Sequence, residues 1–111
     1  MLNKLKKGDV RIIKTVLGEE VIGKIHEVRG DGTVVLDKVG AMAWVQKGND
    51  TELIIIPYMP WTTGDEFEFP KHSYIHVLEP VDKIRLSYQS KFSGIITPPQ
   101  SDTIKMPFIS G

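Results

Sequence analysis

Residues Val10 to Val39, VRIIKTVLGEEVIGKIHEVRGDGTVVLDKV, hold three apolar segments separated by two tight-turn signals, a spacing that points to an antiparallel meander. Leu17-Gly18-Glu19-Glu20 closes the first pair, because Gly18 accepts the positive φ that a hairpin turn demands, and Arg29-Gly30-Asp31-Gly32 closes the second. Along the middle segment Val21, Gly23 and Ile25 share one face while Ile22, Lys24 and His26 share the other, the period of a half-buried strand. Gly23 stands in mid-strand on the apolar face. It weakens a flat strand there, and it lets a sheet bend sharply over itself, as at the corner of a small barrel.

The remaining elements follow in order. Strands are predicted over about 10–17, 20–28 and 33–46, the last interrupted by Gly40, and Lys47-Gly48-Asn49-Asp50 turns the chain into a fourth over 53–61. That fourth strand, LIIIPYMPW, is apolar on both faces and carries Pro57 and Pro60. Proline cannot donate to a ladder, so it belongs at an edge or a bulge, and an apolar edge of this length aggregates unless something covers it. The cover predicted here is a second copy of the chain. Residues 62–73, TTGDEFEFPKHS, read as an insertion, an extended loop or protruding hairpin with Phe67 and Phe69 at strand spacing. Tyr74 to Leu78 reads as strand five. Val81, Ile84, Tyr88 and Phe92 fall three and four apart, so a helix is predicted over about 81–92, with Gly94 just past its end. Ile84, Leu86 and Tyr88 also alternate, which leaves a strand open for the same stretch. One domain over 1–94 and a proline-bearing tail over 95–111, ordered only where docked, complete the organisation.

Composition narrows the function. The 111 residues suffice for one core burying roughly two-thirds of the unfolded surface. With 14 basic and 14 acidic residues there is no bulk cationic field, so any phosphate site must be local. Absence of cysteine rules out disulfides and thiolate metal sites and fits a reducing compartment. The start, MLNKLKKGD, has no apolar core of signal-peptide length, and no apolar run reaches the roughly 18 residues of a membrane helix, so the chain reads as soluble and cytoplasmic. Leu2 and Leu5 are spaced for one helical turn over the barrel, and Lys4, Lys6 and Lys7 read as a solvated arm. No nucleophile motif, phosphate-cradling loop or dinucleotide fingerprint is present, so an enzyme is not expected. His26, His72 and His76 lack a close ligand spacing, and Asp65, Glu66 and Glu68 lack further oxygen donors, so neither metal nor cofactor is expected.

The stretch from Gly18 to Leu36 resembles the first Sm motif of the Sm-like (LSm/Hfq-like) family. A turn glycine, Gly18, five residues before a strand glycine, Gly23, an apolar residue at Ile25, a turn and the Val34-Val35-Leu36 strand stand in that family's register. The TVLGEEVIGKI segment and the proline-rich fourth strand are similar to those of divergent Sm-like proteins from tailed bacteriophages of marine bacteria. The resemblance implies an all-β fold, the strongly bent five-stranded antiparallel barrel of Sm-like and SH3-like domains, to which the periodicity adds a short C-terminal helix. It also implies a homo-oligomeric ring, in host cytoplasm if the origin is a phage, in which strand four of one subunit pairs with strand five of the next. Leu53, Ile54, Ile55, Ile56, Ile75 and Val77 then form the intersubunit interface. RNA or single-stranded nucleic acid is the ligand implied. The family's Asp-x-x-Met-Asn turn and its later Arg-Gly pair are replaced here, the first by Arg29, Gly32 and Thr33 and the second by Pro57 to Trp61. Nucleic-acid contact would fall to Arg29 and Thr33, with Tyr58 or Trp61 stacking on a base. Three readings follow: a ring that binds nucleic acid, a homo-oligomeric structural or adaptor module that binds a host or phage protein without RNA, and a monomeric SH3-like domain.

Overall fold

Cross-strand apolar pairs set the register of the central meander. The computed structural model describes residues 4–92 and, as backbone, 103–105. In it β1 (Val10–Thr15) lies antiparallel to β2 (Glu20–Val28), with Ile12 opposite Ile22 and Ile13 opposite Val21. Adjacent pairs face opposite sides of the sheet, so each seeds a different core. β3 (Val34–Lys47) returns along β2, and at Gly48, with φ +61°, the chain turns into β4 (Asp50–Pro57), so that Lys47 faces Asp50. β5 (Glu66–Phe69), one 3-10 turn (Lys71–Ser73), β6 (Tyr74–Leu78), the helix α1 (Asp82–Phe92) and β7 (Thr103–Lys105) follow.

The protein is all-β with one short C-terminal helix, as the pattern predicts. Its strand count and closure differ from a five-stranded barrel: seven strands form one sheet in the order β6-β1-β2-β3-β4-β7, with β5 also on β3, and the sheet stays open between β6 and β7. The expected insertion over 62–73 is largely a part of that sheet. Its Glu66–Phe69 stretch is β5, paired with Val34–Asp37 of β3. β4 runs over 50–57 rather than 53–61, because its ladder with β3 begins at the Gly48 turn and stops at Pro57. The helix prevails over the alternating strand at 82–92. Of the tail over 95–111, all but 103–105 lies outside the described residues, as does Leu2. Leu5 packs against the apolar side of the sheet.

A kink in β3 explains why β4 and β5 are separate strands. Ile22 pairs with Gly40 and Lys24 with Asp37, so β3 has one residue too many and bulges over Lys38 and Val39. Lys38 takes φ +51°, a left-handed conformation that costs a non-glycine residue about 1–2 kcal/mol. β4 pairs with β3 beyond the kink and β5 pairs before it. The chain leaves the sheet where Tyr58 N–H donates to the Val39 carbonyl (2.9 Å) and re-enters where Lys38 N–H donates to the Asp65 carbonyl (3.1 Å). β4 and β5 thus act as two halves of one interrupted strand, and residues 58–65 form an excursion between them.

Two apolar clusters occupy the two faces. α1 lays Ile84 and Tyr88 on Val10, Ile22, Leu53 and Ile55, with Phe92 and Met42 at the margin. The opposite face gathers Ile13, Val21, Ile25, Val34, Leu36, Val39 and Phe69, flanked by Tyr58, Phe67, Tyr74 and Val77. Gly40 is required for the first arrangement, since a Cβ there would lie 2.7 Å from Ile55 Cγ2 and 3.2 Å from the Phe92 ring. Tyr88 is fully buried and stacked on Phe92 with ring centroids 4.9 Å apart. Its hydroxyl donates to the Lys38 carbonyl at 2.6 Å, so the helix pins the kink directly. Burial, then the nearby Asp37 charge, pushes the Tyr88 phenol well above its usual pKa.

Replacing Tyr88 by Phe keeps the packing and removes the donor that satisfies Lys38. The expected loss is about 1–2 kcal/mol in urea unfolding; an unchanged midpoint would show that the helix does not hold the bend.

Candidate interaction surface

The turn that carries Arg29 and Thr33 is a closed hydrogen-bonded unit. Arg29 N–H donates to the Thr33 carbonyl (2.9 Å), Gly32 N–H to the Arg29 carbonyl (3.0 Å), and Thr33 N–H to Asp31 Oδ1 (2.9 Å), while Gly32 takes φ +93°. Hydrogen bonds from Thr33, its backbone first, hold the Asp31 carboxyl below the ordinary carboxylate range. Thr33 is itself buried. The Arg29 guanidinium is occupied on two sides: Nη2 donates to Glu68 Oε2 (3.0 Å) and Nε to Glu27 Oε2 (2.9 Å). Those two carboxylates, Glu68 foremost, push its pKa further up and neutralise its charge locally. Next to them His26 Nε2 lies 3.5 Å from Glu66 Oε2.

β5 separates this group from the aromatics. Alternation along Glu66–Phe69 sends Glu66 and Glu68 toward His26 and Arg29, and Phe67 and Phe69 to the apolar face opposite the helix. Tyr58 belongs to the second group, edge-on to Phe67 at 5.1 Å between centroids and tilted over Phe69 at 6.2 Å. Desolvation there raises its phenol pKa. Trp61 stands apart, 79% exposed at the tip of the excursion. Of the four residues expected to meet nucleic acid, Arg29 and Thr33 share a turn, Tyr58 is a packing residue on the other side of β5, and Trp61 alone offers a free aromatic face.

The excursion has recesses on both sides. One, of about 510 Å³, is lined by Lys38, Tyr58, Gly64, Phe67 and, from the end of α1, Phe92. The other, of about 360 Å³, is lined by Glu19, Ala41, Ile56, Met59 and Trp61. Met59 between them has φ +49°, so both left-handed non-glycine residues among those described, Lys38 and Met59, line the first recess. The helix that walls that recess is legible in the Ile84, Tyr88 and Phe92 spacing, but its approach to the excursion is not. Phe67 supplies the β5 wall, from a stretch that reads in sequence as an extended loop or protruding hairpin.

The predicted interface residues divide by face. Leu53 and Ile55 point under α1 and are buried in the chain's own core. Ile54 and Ile56 pair with Ala43 and Ala41 on the face away from the helix, Ile54 half-buried and Ile56 44% exposed. On β6, Val77 packs inward against the Ile13–Val21 cluster, and Ile75, at a bulge opposite Lys14 and Thr15, is 55% exposed together with Leu78 at 49%. Among the described residues β6 has β1 on one side and no strand on the other. The outer edge of β4 is not bare along its whole length: Glu52, Leu53 and Ile54 pair with Lys105, Ile104 and Thr103 of β7. The cover expected from a second copy is supplied there by the chain itself. Among the described residues, no group of histidine and carboxylate side chains could hold a metal ion, and no helix is long and apolar enough to cross a membrane.

Tyr58 and Trp61 therefore separate experimentally. Tyr58→Ala is expected to cost about 2–3 kcal/mol by chemical unfolding, through lost aromatic packing, and Trp61→Ala less than about 0.5 kcal/mol, as for an exposed site. A large loss at Trp61 would place it in the core. Comparison with known proteins finds no family model that matches this chain and no curated protein significantly similar to it.

Proposed function

We propose that this chain is a self-assembling, ring-forming module of the Sm-like kind, acting in the cytoplasm as a structural or adaptor unit that binds protein. The observation that carries this reading is the open sheet, with β6 at one end leaving Ile75 and Leu78 exposed and, near the other, the apolar strand β4, whose outer edge β7 covers only over Glu52–Ile54 and whose Ile56 is exposed. Unpaired edges of this kind are avoided in monomers and covered in assemblies. Because the two edges are different strands, pairing one with the other is heterologous, and repeated head-to-tail contacts close into a ring when the rotation permits. The bent antiparallel meander, with Gly23 facing the β3 bulge, supports the same architecture.

The charge pattern favours an adaptor over an RNA-binding ring. Arg29 is held by Glu27 and Glu68, the excursion and β5 add Asp65 and Glu66, and formal net charge is zero. A phosphate chain approaching Arg29 would meet carboxylates already in place. Nucleic-acid binding remains a second reading on the strength of Trp61, whose exposed ring suits base stacking.

Light scattering across a concentration series is expected to give a multiple of the single-chain mass for the native protein, and Ile75→Lys, which puts a charge on the β6 edge, is expected to return it to one chain. A single-chain mass at every concentration, in the native chain and in a variant whose β7 cannot pair with β4, would defeat the assembly. Anisotropy with short U-rich and A-rich RNA at low salt is expected to show no binding; tight binding lost in Trp61→Ala would instead establish the nucleic-acid reading.

A further inference from the structure

The outer edge of β4 has two claimants. β7 holds Glu52–Ile54 through a ladder of only three residues, leaving the edge of Ile55–Pro57 beyond it. β6 offers five residues, Tyr74–Leu78, with an open edge of its own. A neighbouring copy's β6 laid along β4 would form a longer ladder than β7 does and would bury Ile75, Leu78 and Ile56, which one chain leaves exposed. Both strands cannot occupy Glu52–Ile54 at once, because each β4 residue has a single outer edge to offer.

β7 has the advantage of attachment. Residues 93–102 tie it to the end of α1, and α1 ends with Phe92 against Gly40, whose partner across the ladder is Pro57 of β4. A tether of this length gives β7 a high effective concentration at the β4 edge, whereas a second copy must supply its strand from solution. Its grip is nevertheless short. The paired stretch contains Glu52, buried, with Lys47 Nζ 3.5 Å from Oε2, an oxygen that has no hydrogen-bond donor among the described residues. A buried carboxylate regains hydration when that edge opens to water, which makes opening less costly.

We infer that β7 is a built-in competitor for the assembly edge: Thr103–Lys105 cover Glu52–Ile54 in the single chain, and β6 of a second copy takes their place when subunits pair. The inference rests on the self-assembly reading and adds its regulation. Dilute protein is guarded against indiscriminate edge pairing, and assembly sets in only above a concentration that the cis strand dictates. Any modification or ligand that withdraws 103–105 lowers that threshold.

The full-length chain tests this. Ile104→Pro removes an N–H from the middle of β7 and leaves the rest of the sequence unchanged. If β7 occupies the edge in about nine-tenths of single chains, Ile104→Pro lowers the concentration midpoint of assembly about tenfold in sedimentation or light scattering. Conversely, Ile54→Cys/Thr103→Cys, in a protein with no other cysteine, is expected to stay single-chain when oxidised and to assemble when reduced. Amide exchange over Glu52–Ile54, measured where the protein is dilute, should accelerate in Ile104→Pro. An assembling native chain whose midpoint is unchanged or raised by Ile104→Pro overturns the competition and leaves the ring standing. Failure of both native chain and Ile104→Pro to assemble at any concentration overturns the self-assembly reading and the inference with it.

Discussion

The kink at Asp37 to Val39 governs the rest of this sheet. A β3 without it would carry one unbroken partner along its outer edge, and β4 would run straight into β5. With it, three backbone groups of two adjacent residues lose their ladder partners, and each finds another: Lys38 N–H reaches Asp65, Val39 C=O accepts from Tyr58, and Lys38 C=O accepts from the Tyr88 hydroxyl. A left-handed lysine is unfavourable by about 1–2 kcal/mol, and a net gain of about 1 kcal/mol for each of three hydrogen bonds more than offsets it. The strain is therefore sustained by elements from three separate parts of the chain, which is why the helix, the excursion and β5 belong to one cooperative unit.

That arrangement also dictates where apolar surface remains. The helix covers one face of the β3–β4 hairpin, with Gly40 allowing Phe92 to approach, and leaves Ala41, Ala43, Ile54 and Ile56 on the other. The excursion folds Tyr58 down onto Phe67 and Phe69 and so lifts Trp61 into solvent. The exposed residues Ile56, Met59 and Trp61 are consequences of the same kink, since they flank the point where the chain must leave the sheet. Doubly apolar β4 thus serves two different surfaces: Leu53 and Ile55 fill the chain's core, and Ile54 and Ile56 stay near the periphery.

The meander was legible in the sequence because its turns and its faces agree. Gly18 and Gly48 adopt the positive φ their positions call for, Ile12 and Ile22 and then Ile13 and Val21 meet across the ladder, and β6 spans the Tyr74–Leu78 run as read. The helix was legible from Ile84, Tyr88 and Phe92, although its mixed outer face, with Leu86 exposed, also fits a strand pattern. β5 was not, because Glu66, Glu68 and two flanking polar stretches resemble a loop, and only pairing with Val34–Asp37 identifies it. Nor was the extent of β4: three isoleucines in a row draw attention to the apolar run, while the ladder is decided by the Gly48 turn at one end and Pro57 at the other. The division of the candidate site by β5 was illegible for the same reason. Arg29 and Tyr58 were expected together from their places in a motif, and one alternating strand puts them on opposite faces.

Electrostatics argues in the same direction as geometry. Exposed ion pairs such as Arg29 with Glu27 and Glu68 contribute little to stability, so their consequence lies in what they exclude. An arginine recognises phosphate through a free fork of donors; here Nε and Nη2 are already engaged by carboxylates on two strands. A polyanion would have to displace both carboxylates and then remain beside them, in a protein whose balanced charge supplies no long-range attraction in return. The apolar surface that this chain leaves exposed is of another kind, on strands bearing Ile75, Leu78 and Ile56. Apolar side chains at the border of a sheet are covered when one more strand is added, and over Glu52–Ile54 of β4 the chain's own β7 supplies that strand.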